Sequence, residues 1–339
     1  MFQCAPRLVS QTLPHRATLR EVGLRDGIQS IGAFISTDDK IALLDALAET
    51  GLRRIEATSF VHPRFVPQMA DAEDMLARVR RRPGVRYEAL VPNVRGAERA
   101  IAAQADALVF VTAASDAFNL KNVQMTVDAS LGVAEEVRGR ARAAGIPVLA
   151  GISTSFGCPY SGDVPLERVM DVVDRLADMG MVEIGLADTT GMANPLQVER
   201  TVAAALDRVG DRAALGMHFH NTRGMGLANV VAGLRAGVSI FDSSLGGIGG
   251  CPFAPRATGN ICTEDTVLLL HEMGIDTGVN LERLIDVANR AQDILGRELP
   301  GQVMKAGPIE HEQAKTAVAA RAGARADPGG SPCGRAGGS

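Results

Sequence analysis

Between residue 17 and about residue 245 the chain alternates short apolar, β-branched runs with amphipathic helical stretches, and the alternation has a near-constant length. The strand-like runs are Ala17–Leu24, Arg54–Ser59, Arg86–Val91, Ala107–Ala113, Pro147–Ser153, Val182–Asp188, Ala214–His220 and Ser239–Ser244. Between them the pattern predicts helices over Asp38–Glu49, Ala70–Arg81, Val94–Ala103, Thr126–Ala144, Leu166–Met179, Gln197–Arg208 and Gly226–Ala236. Ser36-Thr37-Asp38-Asp39 and Asn194-Pro195 are helix openings, because a short polar oxygen satisfies the first free N–H groups and proline suits the first turn. Gly51, Gly145, Gly180 and Gly237 mark helix ends. Strand then helix in units of roughly 30 residues, repeated eight times, predicts an α/β fold of the (β/α)8 barrel (TIM barrel) type. A doubly wound open sheet is the structural alternative, but it stops at about five to seven strands.

A barrel fixes where chemistry belongs: just past the strand ends, on the C-terminal face. The polar signals fall there, at Arg25-Asp26, Glu56, Asn93, Ser115, Ser153, Asp188, His218 and His220, and in the loop after Ser244. In Leu215-Gly-Met-His-Phe-His220 the period of two puts Ala214, Gly216, His218 and His220 on one strand face and Leu215, Met217 and Phe219 on the other. Two imidazoles on one edge of a strand's C-terminal end point to a metal ion. Nitrogen ligands alone suit zinc. With Asp26 and Asn260 available, a mixed nitrogen and oxygen set without thiolates suits a divalent cation of the Mg²⁺ or Mn²⁺ kind. Arg25 and Asp26 are adjacent, so both reach one site only if the strand ends near Leu24 and turns, which Gly27 favours. Leu245-Gly-Gly-Ile-Gly-Gly-Cys251 reads as a hinged loop that carries Cys251 toward the site.

Composition excludes other classes. A net charge of −4 and a pI near 5.9 give no electrostatic footprint for nucleic acid or an anionic membrane. No apolar run reaches the length of a membrane span and the first residues carry no signal-peptide pattern, so a cytoplasmic protein is expected. The 5 cysteines (Cys4, Cys158, Cys251, Cys262, Cys333) form no Cys-x-x-Cys pair, which excludes a thiolate zinc site; Cys158 and Cys262 are expected to be structural. Helices are predicted over Glu264–Met273 and Leu281–Leu295. Residues 15–300 therefore form the barrel domain with its added C-terminal helices. Residues 301–339 form an extension, disordered from about residue 316, where Ala, Gly, Arg and Pro dominate.

Taken together, Glu21–Gln29, Ile55-Glu-Ala-Thr-Ser-Phe-Val61, Val66-Pro-Gln-Met69, Gly157-Cys-Pro-Tyr160, His218-Phe-His220, Gly224–Asn229 and Gly246–Asp265 resemble the 3-hydroxy-3-methylglutaryl-CoA lyase family. The resemblance runs in unbroken order from about residue 17 to 300. The Gly-Gly-Cys-Pro loop separates these lyases from related Claisen-type synthases, the alternative enzyme class. The resemblance implies a metal-dependent carbon–carbon lyase acting on an acyl-CoA by retro-Claisen cleavage to acetyl-CoA and a keto acid such as acetoacetate, and a homodimer. It implies Asp26, His218, His220 and Asn260 as ligands of Mg²⁺ or Mn²⁺, Arg25 as the group that stabilises the enolate oxygen, Cys251 as a closing acid, and Glu56 as support for Arg25 and the metal site. Either Asp26 or His218 accepts the hydroxyl proton. Gln29, Ser59, Ile152, Gly185, Asp188 and Arg223 are expected to contact substrate.

The chain departs from the family pattern at Leu24, where Pro is usual, at Ile152 (Tyr), at Gly185 (Ser), and in His220-Asn-Thr-Arg-Gly224, where His-Asp-Thr-Tyr-Gly is usual. Lost Tyr and Ser hydroxyls and an added cation at Arg223 point to a pocket that accepts a related acyl chain, such as citramalyl-CoA, with hydroxymethylglutaryl-CoA a minor substrate.

Overall fold

The structure is a computed structural model that describes residues 13–250 and 258–309. Eight parallel strands close into a barrel in the order β1-β2-β3-β4-β5-β6-β7-β8. They are β1 Thr18–Glu21, β2 Arg54–Ser59, β3 Arg86–Leu90, β4 Ala107–Ala113, β5 Val148–Ser153, β6 Glu183–Asp188, β7 Ala214–Phe219 and β8 Ile240–Ser243. The helices are α1 Thr37–Glu49, α2 Ala72–Arg78, α3 Val94–Ala102, α4 Asp116–Val123, α5 Val127–Ala143, α6 Leu166–Asp178, α7 Pro195–Val209, α8 Gly226–Ala236, α9 Thr263–Glu272, α10 Leu281–Leu295 and α11 Val303–Ala306. Among the described residues no helix is long and apolar enough to cross a membrane.

Strand alternation sorts the chain cleanly. Leu19, Ile55, Tyr87, Phe110, Ile152, Ile184, Met217 and Phe241 turn outward and join the helices in one hydrophobic core. The opposite face of the strands, looking into the barrel, carries Arg20, Arg54, Glu88, Glu183 and Asp242, where branched apolar residues usually fill such barrels. These charges pair with one another: Arg54 donates to Glu88 at 2.8 Å and to Glu183 at 2.6 Å, and Arg20 spans Glu88, Glu183 and Asp242. Ions taken out of water must be paired in this way, since removing one partner of a buried pair costs about 3–5 kcal/mol.

Helix boundaries follow their caps. Asn93 and Ser115, two of the polar residues at strand ends, are N-caps: the Asn93 side chain accepts from Gly96 N at 2.9 Å and Ser115 Oγ from Phe118 N at 3.4 Å. The Ser115 cap starts α4, a helix the hydrophobic pattern does not announce, in the stretch before α5. Helix α2 is shorter than the predicted Ala70–Arg81 because Asp45 takes the Arg80 N–H at 3.0 Å and draws the chain out of the helix. Gly237 ends α8 at φ 104°, a left-handed conformation that other residues rarely adopt. The larger departure is at β1, which ends at Glu21 rather than running to Leu24; Gly23–Gly27 then wind into one wide π-type turn. At the other end, α11 buries Val303 and Met304 and carries the compact unit through Ala306, beyond residue 300. The tail expected to be disordered, from about residue 316, lies outside the described residues.

Candidate metal centre and active site

The π-type turn sets up the site. Asp26 N donates to Val22 O at 2.7 Å and Ile28 N to Gly23 O at 3.0 Å, so the chain coils over the end of β1 and both Arg25 and Asp26 point into the barrel mouth. Arg25 is clamped: its Nε donates to Glu56 Oε2 at 2.8 Å and its Nη1 to Asp26 Oδ1 at 2.6 Å. Gln29, expected against substrate, donates instead to Asp26 Oδ1 at 2.8 Å, and Asn260 Nδ2 donates to Asp26 Oδ2 at 2.7 Å. Burial opposes ionisation of Asp26, but the Arg25 charge, the two histidines and the Asn260 hydrogen bond hold its carboxyl below the usual range.

His218 and His220 approach from β7, with Nε2 atoms 4.0 and 3.9 Å from Asp26 Oδ2. Their other ring nitrogens are engaged. His220 Nδ1 lies 2.9 Å from the Thr258 carbonyl, which can only accept, so that nitrogen carries the proton. His218 Nδ1 lies 3.2 Å from Asp242 Oδ2. Burial, then the neighbouring His218, pushes His220 down to about 4, so it is neutral near pH 7. For His218 burial works downward, but the Asp242 hydrogen bond and the Asp26 charge win and raise it.

A divalent cation fits these residues. Ligand atoms of Asp26, His218 and His220 all lie within 4.8 Å of one another. Asn260 Oδ1 is buried without a hydrogen-bond partner, which a polar atom in a protein interior rarely tolerates unless something binds it. A backbone bridge pairs Asn260 with His220. Gly249 serves the same packing: at φ 145°, a Cβ there would sit 2.6 Å from Asn260 Nδ2.

Other expected site residues take different places. Ser59 Oγ accepts Val61 N at 3.2 Å, turning the chain after β2. Asp188 accepts Met192 N at 2.7 Å and Ala193 N at 3.2 Å, shaping the loop before α7, and burial raises it to about 6. Gly185 faces the interior, in register with Gly151 and Gly216, and a Cβ there meets nothing nearer than Ala150 O at 3.7 Å. Ile152 is a correction: fully buried among the helix-facing side chains, it points away from the barrel interior, and the inward position on β5 is Gly151. Arg223 Nη1 donates to the carbonyls of Thr190 and Gly191 at 2.9 and 2.8 Å, tying the loop after β7 to the loop after β6. Cys251 lies outside the described residues.

Sequence reasoning overlooked Glu21, Asp242 and Glu264, all buried acids. An acid within an otherwise apolar strand, as in Ile240-Phe-Asp-Ser243, was the available signal. Glu21 Oε1 accepts Gly23 N at 2.7 Å and Leu245 N at 2.9 Å, while its Oε2 takes the Thr263 hydroxyl at 2.6 Å. Glu264 accepts Gly246 N at 3.1 and 3.0 Å and stands 2.5 Å from Cys262 Sγ. Together they brace the π-type turn and the start of the glycine-rich loop. Burial is the first cause that raises Glu21 to about 7 and Glu264 to about 8. A carboxyl that holds its proton more tightly when folded contributes stability below its unfolded value of 4.5, and that contribution is lost as pH climbs toward 8. Wild type is therefore expected to lose roughly 3 kcal/mol relative to Glu264→Gln between pH 5 and pH 8, since each tenfold difference in proton affinity between the folded and unfolded chain is worth about 1.4 kcal/mol. Urea denaturation at the two pH values measures this; parallel pH profiles would refute it.

Fold and site together define a (β/α)8-barrel protein with a candidate metal site and a clamped arginine at its C-terminal mouth. The chain belongs to the HMGL-like family, whose pattern matches residues 16–290. It is 43% identical over 289 residues to the hydroxymethylglutaryl-CoA lyase YngG of Bacillus subtilis, covering 85% of this chain and 96% of that protein. It is 43% identical over 295 residues to the mitochondrial hydroxymethylglutaryl-CoA lyase of Rattus norvegicus, covering 87% of this chain and 90% of that protein. Among solved structures, an HMG-CoA lyase from Acinetobacter baumannii in complex with coenzyme A and 3-methylmalate superposes with a TM-score of 0.84 at 40% identity, covering 88% of this chain and 97% of that one.

Proposed function

We propose that this chain is a divalent-metal-dependent carbon–carbon lyase that cleaves 3-hydroxy-3-methylglutaryl-CoA to acetyl-CoA and acetoacetate. The observation that carries the reading is the convergence of Asp26, His218, His220 and the unpartnered Asn260 oxygen beside a guanidinium clamped by two carboxylates. Relatives above 40% identity that bear this activity in their names support it.

The reaction removes a proton from a tertiary hydroxyl and leaves an electron pair on the carbon next to a thioester. Asp26, His218, His220 and Asn260 would hold Mg²⁺ or Mn²⁺. When bound, the cation polarises and acidifies oxygens attached to it. Arg25, unable to swing away from Glu56 and Asp26, offers a fixed positive charge to the thioester oxygen as it becomes an enolate oxygen. Such preorganised charge is effective because burial keeps water from screening it. Asp26 and His218 are the two candidate acceptors of the hydroxyl proton. Cys251 would donate the proton to the acetyl-CoA carbanion.

The departures from the family pattern weigh less on substrate than their chemistry suggests. Ile152 faces the helices and Arg223 is engaged with two backbone carbonyls, so only Gly185 opens interior space. Hydroxymethylglutaryl-CoA is thus the expected preferred substrate. Rates on it and on citramalyl-CoA, with acetyl-CoA quantified as product, test this: a kcat/KM at least about tenfold higher on hydroxymethylglutaryl-CoA is expected, the scale of one small change in an apolar pocket. Preference for citramalyl-CoA would move the assignment to the alternative acyl chain.

A further inference from the structure

We infer that Asp242 is the positioning residue for His218: it fixes the proton on Nδ1 and aims Nε2 at the cation, through a carboxylate anchored in the ion network that fills the barrel. The inference rests on the reading of His218 as a metal ligand. None of the sequence motifs includes Asp242, and its side chain does not touch the reacting centre.

The geometry leaves Asp242 little freedom. Asp242 is the register partner of His218 on β7 and of Arg20 on β1, and Arg20 is in turn the partner of Arg54 on β2. Arg20 grips the carboxylate with both arms, Nε to Oδ1 at 2.8 Å and Nη2 to Oδ2 at 2.9 Å. A forked arginine–carboxylate pair defines the orientation of both groups as well as their attraction. Arg20 is held in turn by Glu183 at 3.2 Å and Glu88 at 3.3 Å. One lone pair of Oδ2 is left toward His218 Nδ1, 3.2 Å away. A carboxylate ion-paired to arginine only accepts, so His218 Nδ1 must donate. The single remaining lone pair of the ring is then on Nε2, which faces Asp26 Oδ2.

Two consequences follow. His220 obtains the same tautomer from a neutral backbone carbonyl, whereas His218 obtains it from a charged carboxylate, which makes its Nε2 the more basic ligand. A ring whose Nδ1 is protonated and whose Nε2 binds a cation has no lone pair for another proton. His218 is therefore not the acceptor of the hydroxyl proton.

The wild-type, metal-free protein labelled with ¹⁵N-histidine tests the tautomer directly, by two-bond ¹H–¹⁵N correlation assigned with His218→Gln. At an alkaline pH, where the ring is neutral, the expected pattern is a protonated Nδ1 and a bare Nε2 on His218; a neutral ring with its proton on Nε2 overturns the inference, and no variant at Asp242 is needed to see it. The second arm is Asp242→Asn, with Mn²⁺ affinity read by electron paramagnetic resonance. Asparagine has one acceptor oxygen, which Arg20 claims, so its NH₂ turns to His218 Nδ1 and forces the opposite tautomer. Mn²⁺ affinity is expected to fall roughly 10- to 100-fold, the usual effect of losing such an orienting partner, and kcat to fall with it. A purely structural role for Asp242 would lower the melting temperature and leave tautomer and affinity unchanged. A folded Asp242→Asn that binds Mn²⁺ like wild type overturns this inference alone, whereas a wild type that binds no Mn²⁺ overturns the metal reading as well.

Discussion

Arg25→Gln is expected to lower kcat on the acyl-CoA by about a thousandfold, the upper range for removing one preorganised donor from a developing oxyanion. The size of the effect follows from how the guanidinium is held. Arg25 ion-pairs with Glu56 at 2.7 Å and with Asp26 at 2.6 Å, and all three side chains are almost wholly out of solvent. Burial alone disfavours the arginine charge, but the facing carboxylates more than offset it and keep the group cationic at every working pH. A glutamine retains hydrogen bonding to Glu56 but brings no charge to the reacting oxygen. The loss should fall on kcat more than on KM, because the enolate oxygen carries full charge only beyond the ground state. Steady-state rates and Mn²⁺ titration on the same preparation check this. A kcat within about tenfold of wild type would remove Arg25 from the reacting centre. A lost Mn²⁺ signal would show that the substitution acts through Asp26 instead.

The barrel was legible because period-two alternation is written strongly into this chain: each strand sends its apolar set outward, and Leu215, Met217 and Phe219 lie in the outer core as their spacing requires. The His218 and His220 edge was legible for the same reason. What a linear pattern does not carry is the point where a strand stops. Ala17–Leu24 is uniform enough to read as one strand, yet Glu21 takes two backbone N–H groups from Gly23 and Leu245 and turns the chain early. That turn, set by Glu21 and braced from Leu245 more than two hundred positions away, is what brings Arg25 and Asp26 to one site. Ile152 failed for a related reason, since a shift of one residue along a strand reverses the face. The roles of Asp242, Glu88 and Glu183 depend on arginines from other strands, and an isolated acid in a strand does not reveal its partner.

His220→Ala is expected to weaken Mn²⁺ binding by more than about a hundredfold, because deleting a ligand must cost at least what deleting an orienting partner costs. His220 is suited to the task by its protonation state. Burial and the neighbouring His218 hold its pKa at about 4, so its Nε2 lone pair is free at pH 7 and no proton has to leave when the ion arrives. The Thr258 carbonyl, 2.9 Å from Nδ1, keeps that lone pair directed at Asp26. Alanine removes the nitrogen and opens a space next to Asp26 and Asn260 without adding a competing charge. The consequence for stability is measurable apart from catalysis. Saturating wild type with Mn²⁺ at about 100 times its dissociation constant should stabilise the fold by about 2.7 kcal/mol, because the ion binds only the folded chain. At the same Mn²⁺ concentration His220→Ala should gain about half a kcal/mol or less over its own metal-free form. Adding and removing a chelator during the melt makes the comparison reversible. If the variant keeps the full metal-dependent shift, the ion sits elsewhere and His220 is no ligand.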